Sequence, residues 1–165
     1  MRFEPAHDKS RRGAQYVMFR FGPDYYGIAV AKVREILRPL DLFPVPGMGS
    51  GVEGVINLRG EIIPMVKLAL LLGLERAESD GASRKRRMII IDAPRGSFGF
   101  LVDEVLEVTR IQSEEIQPPP DLGRHGAGGE VATGIAKVSG RMVVCIDPER
   151  LITDDLVAKE LAIDR

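Results

Sequence analysis

A chain of 165 residues with 44% hydrophobic content is long enough to bury one sizeable core or two small ones, and it lacks the low-hydrophobicity signature of disorder. Its 23 basic and 24 acidic residues leave a formal net charge of -1, which gives no overall electrostatic reason for nucleic acid or an anionic membrane as partner. A single cysteine excludes an internal disulfide, and apolar runs such as "LALLLGL" are too short to cross a bilayer, so the composition points to a soluble protein of a reducing compartment without direct membrane insertion.

Residues 1–14 are charged and have no apolar h-region, which suits a flexible arm rather than a secretory signal. "QYVMFRF" (15–21) reads as a strand that "GPD" turns towards "YYGIAV", the grammar of an antiparallel meander. "KVREILRP" mixes charged and apolar residues as a helix would, but Val33 and Glu35 alternate and Pro39 ends the run, which favours a third strand. After the loop "LFPVPGMGSG" come "VEGVINL" and "EIIPMV", a hairpin joined at Arg59-Gly60, with Pro64 predicting an edge or a bulge for its second strand. "LALLLGL" can make one or two helical turns stopped at Gly73, and the polar "ERAESDGASRKRR" reads as a linker.

The same grammar then returns. "MIIID" matches "YVMFR" and "SFGFLVDEVLEVTRI" matches "YYGIAVAKVREILRP" without a gap, pairing Gly27 with Gly99, Val33 with Val105 and Glu35 with Glu107. "GIAKVSGRMVVCIDP" matches "GVINLRGEIIPMVKL" after an insertion around "GRHGAGGEV". Two copies of one unit, at approximately 15–74 and 87–152, each with about five short strands, suit a pair of small barrels that limit their exposed edges; a strand exchange between them is left open. "TDDLVAKELAID" predicts a short amphipathic C-terminal helix over 153–163, capped by Thr153 or Asp154 and packed on the barrels.

The repeat acts as an internal control on the hairpin tip. Both copies place a glycine there, Gly60 and Gly140, as a type I turn followed by a left-handed residue requires. The residue before it is Arg59 in one copy and Ser139 in the other, so the arginine is not needed for the turn and is free for another purpose. It could be solvated, pair with Glu61, or meet Glu35 from the third strand through a fork of guanidinium donors. On this reading Arg59→Ala leaves the fold and its melting largely intact.

Catalytic constellations are missing. His7 and His125 stand in no metal-ligand spacing, Cys145 alternates within an apolar strand as a buried small hydrophobe, and no P-loop, nucleophile elbow or dinucleotide fingerprint occurs. The expectation is therefore no enzyme, no cofactor and no metal. A small-barrel nucleic-acid-binding module is the alternative, with "SRKRRM" (83–88) as its basic patch, but the chain is only 5% aromatic and no ring interleaves that run.

"YGIAVAKVREILRP", "GVEGVINLRGEIIPMVKL" and "FGFLVDEVLEV" resemble the CheW coupling proteins of bacterial chemotaxis, and the likeness covers about residues 14–155. The resemblance implies an all-β, mainly β fold of two five-stranded Src-homology-3-like barrels with short helices, one of them C-terminal. It implies a CheW-like domain over 15–155 and a non-catalytic adaptor, monomeric when isolated. That adaptor would be cytoplasmic and recruited to membrane-associated receptor arrays, linking the cytoplasmic tips of chemoreceptors to the regulatory domain of a CheA-type histidine kinase. The implied receptor or kinase contacts are Val33, Glu35, Gly54, Asn57, Leu58, Arg59, Gly60, Val105 and Val108, with Val33 and Val108 as apolar anchors of a groove between the barrels. Lys67 stands where many relatives carry an aspartate.

Overall fold

Among the described residues, period-two alternation produces ten strands: β1 (Ala14–Phe21), β2 (Asp24–Ala29), β3 (Val33–Leu37), β4 (Val52–Leu58), β5 (Glu61–Val66), β6 (Arg87–Ala93), β7 (Gly96–Val102), β8 (Glu104–Ile111), β9 (Ala132–Val138) and β10 (Arg141–Ile146). Two four-residue helices, α1 (Leu68–Leu71) and α2 (Pro148–Leu151), follow β5 and β10. The structure, a computed structural model, describes residues 13–49, 51–74, 83–119 and 131–151. Most of the N-terminal arm with His7, the first part of the linker, the Gly-rich insertion with His125 and the expected C-terminal helix lie outside the described residues.

The protein is all-β, built on two five-stranded sheets with the orders β8-β1-β2-β10-β9 and β3-β6-β7-β5-β4. Each sheet takes the first two strands of one sequence half and the last three of the other. The meander expected at the N-terminus therefore ends after β2. A 3₁₀ turn at Val30–Lys32 redirects the chain, and β3 pairs antiparallel with β6 instead of with β2. Parallel contacts make the two joins, β2 with β10 through Gly27 and Cys145, and β5 with β7 through Met65 and Gly99. This explains Gly99, where a Cβ would lie 2.7 Å from Ile90 Cδ1, 2.9 Å from Met65 Sδ and 3.0 Å from the Ile89 carbonyl oxygen; at Gly27 the join is looser, with a Cβ 3.3 Å from Val143 Cγ1.

Within each sheet the two end strands are brought round to one another. The chain running on from β3 makes an isolated bridge from Phe43 to Val55 of β4, and the chain beyond β8 makes the matching bridge from Gln117 to Ile135 of β9. Each sheet is thus curled and joined along its open side by one bridge rather than by a full ladder.

Among the described residues, three cores follow from this curl. Val17, Phe19 and Phe21 of β1, with Ile89 and Ile91 of β6 and Phe98 and Phe100 of β7, fill the space between the sheets. Met88 and Ile90, on the other face of β6, join Ile56, Leu58, Ile63 and Met65 inside the second sheet. A strand buried on both faces reads as an unbroken apolar run, which accounts for "MIII". The first sheet encloses the smaller set Ile111, Ala136 and Cys145.

Both hairpin tips differ in detail from the expected turn. Arg59 and Gly60 have φ of 51° and 89°, Ser139 and Gly140 of 52° and 78°, and the flanking residues pair directly, Leu58 with Glu61 and Val138 with Arg141. These are two-residue turns with both central residues left-handed, the type I′ geometry whose twist matches the strands, rather than a type I turn with an added glycine. Pro64 lies on a strand flanked on both sides, not on an edge; β5 pairs in register with β7 at Met65, so the missing N–H interrupts little on that side, and the neighbouring irregularity falls in β4 between Val52 and Gly54.

Candidate partner-docking site

At the β4–β5 tip, the residues of "NLRG" divide their labour. Asn57 Oδ1 accepts the Gly60 N–H at 2.8 Å and holds the turn; Leu58 is buried in the core of the second sheet; Gly60 supplies the second left-handed position. Asn57 and Arg59 are both exposed, and the longer Arg59 side chain is 56% exposed.

Its Nη2 donates to both carboxylate oxygens of Glu35, at 2.9 Å to Oε1 and 2.7 Å to Oε2. Glu35 is only 3% exposed, an uncommon depth for a carboxylate, and a bulge in the β3–β6 pairing between Val33 and Glu35 breaks the simple alternation there. The Glu35–Arg59 pair considered from the sequence is formed, though by the curl of the sheet rather than by a meander. One expectation changes with it. Because Arg59 neutralises a buried carboxylate, it contributes to the fold as well as to the surface.

A second pair, unforeseen in the sequence, lies beside the first. Arg34 donates from Nη1 to Glu61 Oε2 at 3.1 Å and from Nη2 to Oε1 at 2.9 Å, and Nη1 also reaches Ser97 Oγ at 3.0 Å. Glu61 therefore pairs with Arg34, not with its neighbour Arg59. The Arg34 hydrogen bond holds the Glu61 carboxyl below its ordinary value, with the Arg34 and Arg59 charges adding to the effect, and Glu61 in turn raises the Arg34 value. No run of Arg34, Glu61 and Ser97 along the chain betrays this set, because β3 and β5 are separated in the sheet order by β6 and β7 and meet only when the sheet curls.

The other residues considered from the sequence are dispersed. Val33 is 5% exposed and belongs to the core between the sheets, so it is not an exposed anchor. Gly54 is a packing position: a Cβ there would lie 2.7 Å from the Phe43 carbonyl oxygen in the bridge that joins β3's continuation to β4. Val105 packs against the core between the sheets, while Val108 is 37% exposed, both on β8 of the first sheet. Beside Val108, Glu107 accepts a hydrogen bond from Ser139 Oγ at 3.4 Å, a weak neutral counterpart of the Glu35–Arg59 pair. In the basic run, Arg87 donates to the carbonyls of Arg84 and Arg86, and Lys85 lies 3.8 Å from Glu104, so part of that charge is spent within the chain. A cavity of about 280 Å³, lined by Phe21, Val66, Leu68, Leu70 and Leu101 with Lys67, Arg86 and Asp103, contains none of the implied receptor or kinase contacts. Cys145 is fully buried, and burial pushes its thiol up to about 11, which keeps it protonated and unreactive at neutral pH.

A sequence profile of the CheW-like domain matches residues 15–156, nearly the whole of this arrangement. The chain belongs to the CheW-like domain family. It is 34% identical over 132 residues to the chemotaxis protein CheW of Thermotoga maritima, covering 79% of this chain and 82% of that one. To the chemotaxis protein CheW of Treponema pallidum it is 29% identical over 146 residues, 88% of this chain and 85% of the relative. Among solved structures it is similar to the scaffolding protein TtCheW from Thermoanaerobacter tengcongensis, with a TM-score of 0.70 and 30% identity over 81% of this chain and 88% of that one. Among the described residues, no helix is long and apolar enough to cross a membrane.

Proposed function

We propose that the chain is a non-catalytic adaptor of a bacterial chemosensory array, joining chemoreceptor tips to the regulatory domain of a CheA-type histidine kinase. Family membership, together with relatives that are chemotaxis proteins and a structural neighbour that is a scaffolding protein, supports the adaptor role in chemotaxis. The observation that carries the docking site is Arg59: one nitrogen fixed on a buried carboxylate, the rest of a half-exposed guanidinium facing solvent. A charged group oriented in this way gives a partner register and discrimination more than raw affinity. Ile62, 62% exposed on the same hairpin, and Val108 on the other sheet offer apolar contact area. Val33, Gly54, Asn57, Leu58, Gly60 and Val105 act by shaping these surfaces, and Glu35 acts through Arg59. The protein works in the cytoplasm and reaches the membrane-associated array through its partners.

The test is a reconstitution with a purified receptor cytoplasmic fragment and a CheA-type kinase from the same organism, followed by sedimentation. The kinase should co-sediment with receptor only when the chain is present, and Arg59→Asn, which keeps a residue suited to the left-handed turn, should weaken assembly by about tenfold, the effect of one lost charge-assisted contact. A folded chain that binds neither protein refutes the reading.

A further inference from the structure

The β4–β5 tip contains a competition that the fold has settled. Arg59 stands between two carboxylates, the buried Glu35 and the exposed Glu61 two residues along its own hairpin. Both recorded bonds from Arg59 leave through Nη2 to Glu35. Among the described residues, Nε and Nη1 make no other hydrogen bond. Glu61 is close enough for the Arg59 charge to bear on it, and in an isolated hairpin it would be the natural partner for these donors. It is instead taken at both oxygens by Arg34, whose guanidinium is itself steadied by Ser97 Oγ on β7.

We propose that Arg34 is a positioning residue for Arg59: by occupying Glu61 at two points, it keeps the hairpin's own carboxylate off the outward donors of Arg59 and leaves them for a carboxylate or carbonyl on the partner. The inference rests on the adaptor reading above, in which Arg59 meets the partner. It assigns to Arg34 and Glu61 unequal effects on docking although they form one ion pair. Loss of Arg34 frees Glu61 to cap Arg59 internally, whereas loss of Glu61 leaves Arg59 uncapped. The partner group that fits the open position is an acidic side chain or the carbonyl end of a helix, since only acceptors complement the remaining guanidinium nitrogens.

The test uses Arg34→Gln, Glu61→Gln and the double substitution in the full chain, with binding to the purified receptor fragment and kinase regulatory domain, and circular dichroism to confirm folding. Arg34→Gln should weaken binding by about three- to tenfold, Glu61→Gln should leave it within about twofold, and the double variant should return to within about twofold of the parent. Equal losses in both single variants, with no recovery in the double, would mean that the pair only stiffens the corner, and would overturn the proposal. A readout on the free protein separates this from failure of the adaptor reading. In Arg34→Gln the Glu61 carboxyl, followed by carbon-detected NMR through an acid titration, should remain below its ordinary value because Arg59 has taken it over. Return to an unperturbed titration in that variant would overturn the positioning role even if Arg59→Asn abolishes docking, whereas unchanged docking by Arg59→Asn would refute the role of Arg59 itself.

Discussion

Replacing Arg59 by asparagine removes the guanidinium while retaining a residue that tolerates the left-handed position of a type I′ turn, so the substitution isolates the ion pair from the turn. Glu35 then sits 3% exposed without the group that approached both its oxygens within 2.9 Å. Breaking a fully buried pair costs about 3–5 kcal/mol, and losing a hydrogen bond to a charged group about 1.5–3 kcal/mol. Because the Arg59 side chain is 56% exposed, water can enter the space it leaves, and the screened pair belongs at the lower end, about 1–3 kcal/mol. For a chain of this size each kcal/mol shifts the melting temperature by roughly 2–4 °C, giving a loss of about 2–12 °C in a thermal melt at neutral pH. Glu35→Gln should cost less, since the arginine left behind is already half solvated, and the double variant should resemble Glu35→Gln alone. Asymmetry of the two single effects, with strong non-additivity in the cycle, is the signature of a buried acid neutralised from the surface. Additive effects of equal size would show that Arg59 and Glu35 are not energetically coupled and would refute the reasoning.

Four further outcomes follow from other parts of the fold. Gly54→Ala should destabilise the protein by about 1–3 kcal/mol in urea unfolding, because its Cβ would meet the backbone of Phe43, so any loss of assembly by this variant reflects a displaced loop. Lys67 stands at the start of α1 with no side-chain cap, whereas the matching Asp147 accepts the Glu149 N–H at 3.0 Å; Lys67→Ser should raise stability by about 0.5–1 kcal/mol without adding a carboxylate near Asp103, as a shift of the urea midpoint will show. Cys145 should resist a thiol reagent at pH 8 in the native state and react at once in denaturant, since its thiol is enclosed and pushed up to about 11. The Glu61 carboxyl is depressed in the folded state, so its contribution is present above its ordinary value of 4.5 and is lost as pH falls through the lowered one; Arg34→Gln/Arg59→Asn should abolish that depression in an NMR titration.

Much of the fold was legible because local alternation and turn chemistry agree with it. All ten strand segments, the brief helix after β5 and the glycine tips follow from short-range rules. What could not be read was the pairing. A strand's pattern states which residues face a core but not which core, and the repeat made pairing within a half and pairing across halves equally consistent with the apolar pattern. The exchange also decides the site. Val33 resembles an accessible strand valine until β3 is placed against β6, where it becomes part of the core between the sheets. Arg34 and Glu61 carry no signal in the chain because their meeting depends on the curl of the sheet. The turn residue Gly60 was readable because its work is done within the hairpin tip, whereas Asn57 entered only as an implied contact and its bond to the Gly60 N–H came from the structure.

The two hairpin tips provide a comparison inside one molecule. Ile62 and Met142 occupy matching positions and are 62% and 61% exposed, and both turns have nearly the same backbone angles. The second tip reaches this geometry with Ser139 and an exposed Glu107 at 3.4 Å, so neither the turn nor the exposed apolar residue depends on an ion pair. What distinguishes the first tip is depth: its carboxylate has moved from the surface into the protein, and a buried carboxylate must be met by a partner of opposite charge. An arginine can meet it and still leave most of its donors outside, which a lysine, with one compact ammonium, would do less well. Burying Glu35 therefore fixes the direction of Arg59, and the same physical requirement that makes the pair part of the fold leaves its outer half in a set orientation, as the proposed partner contact requires.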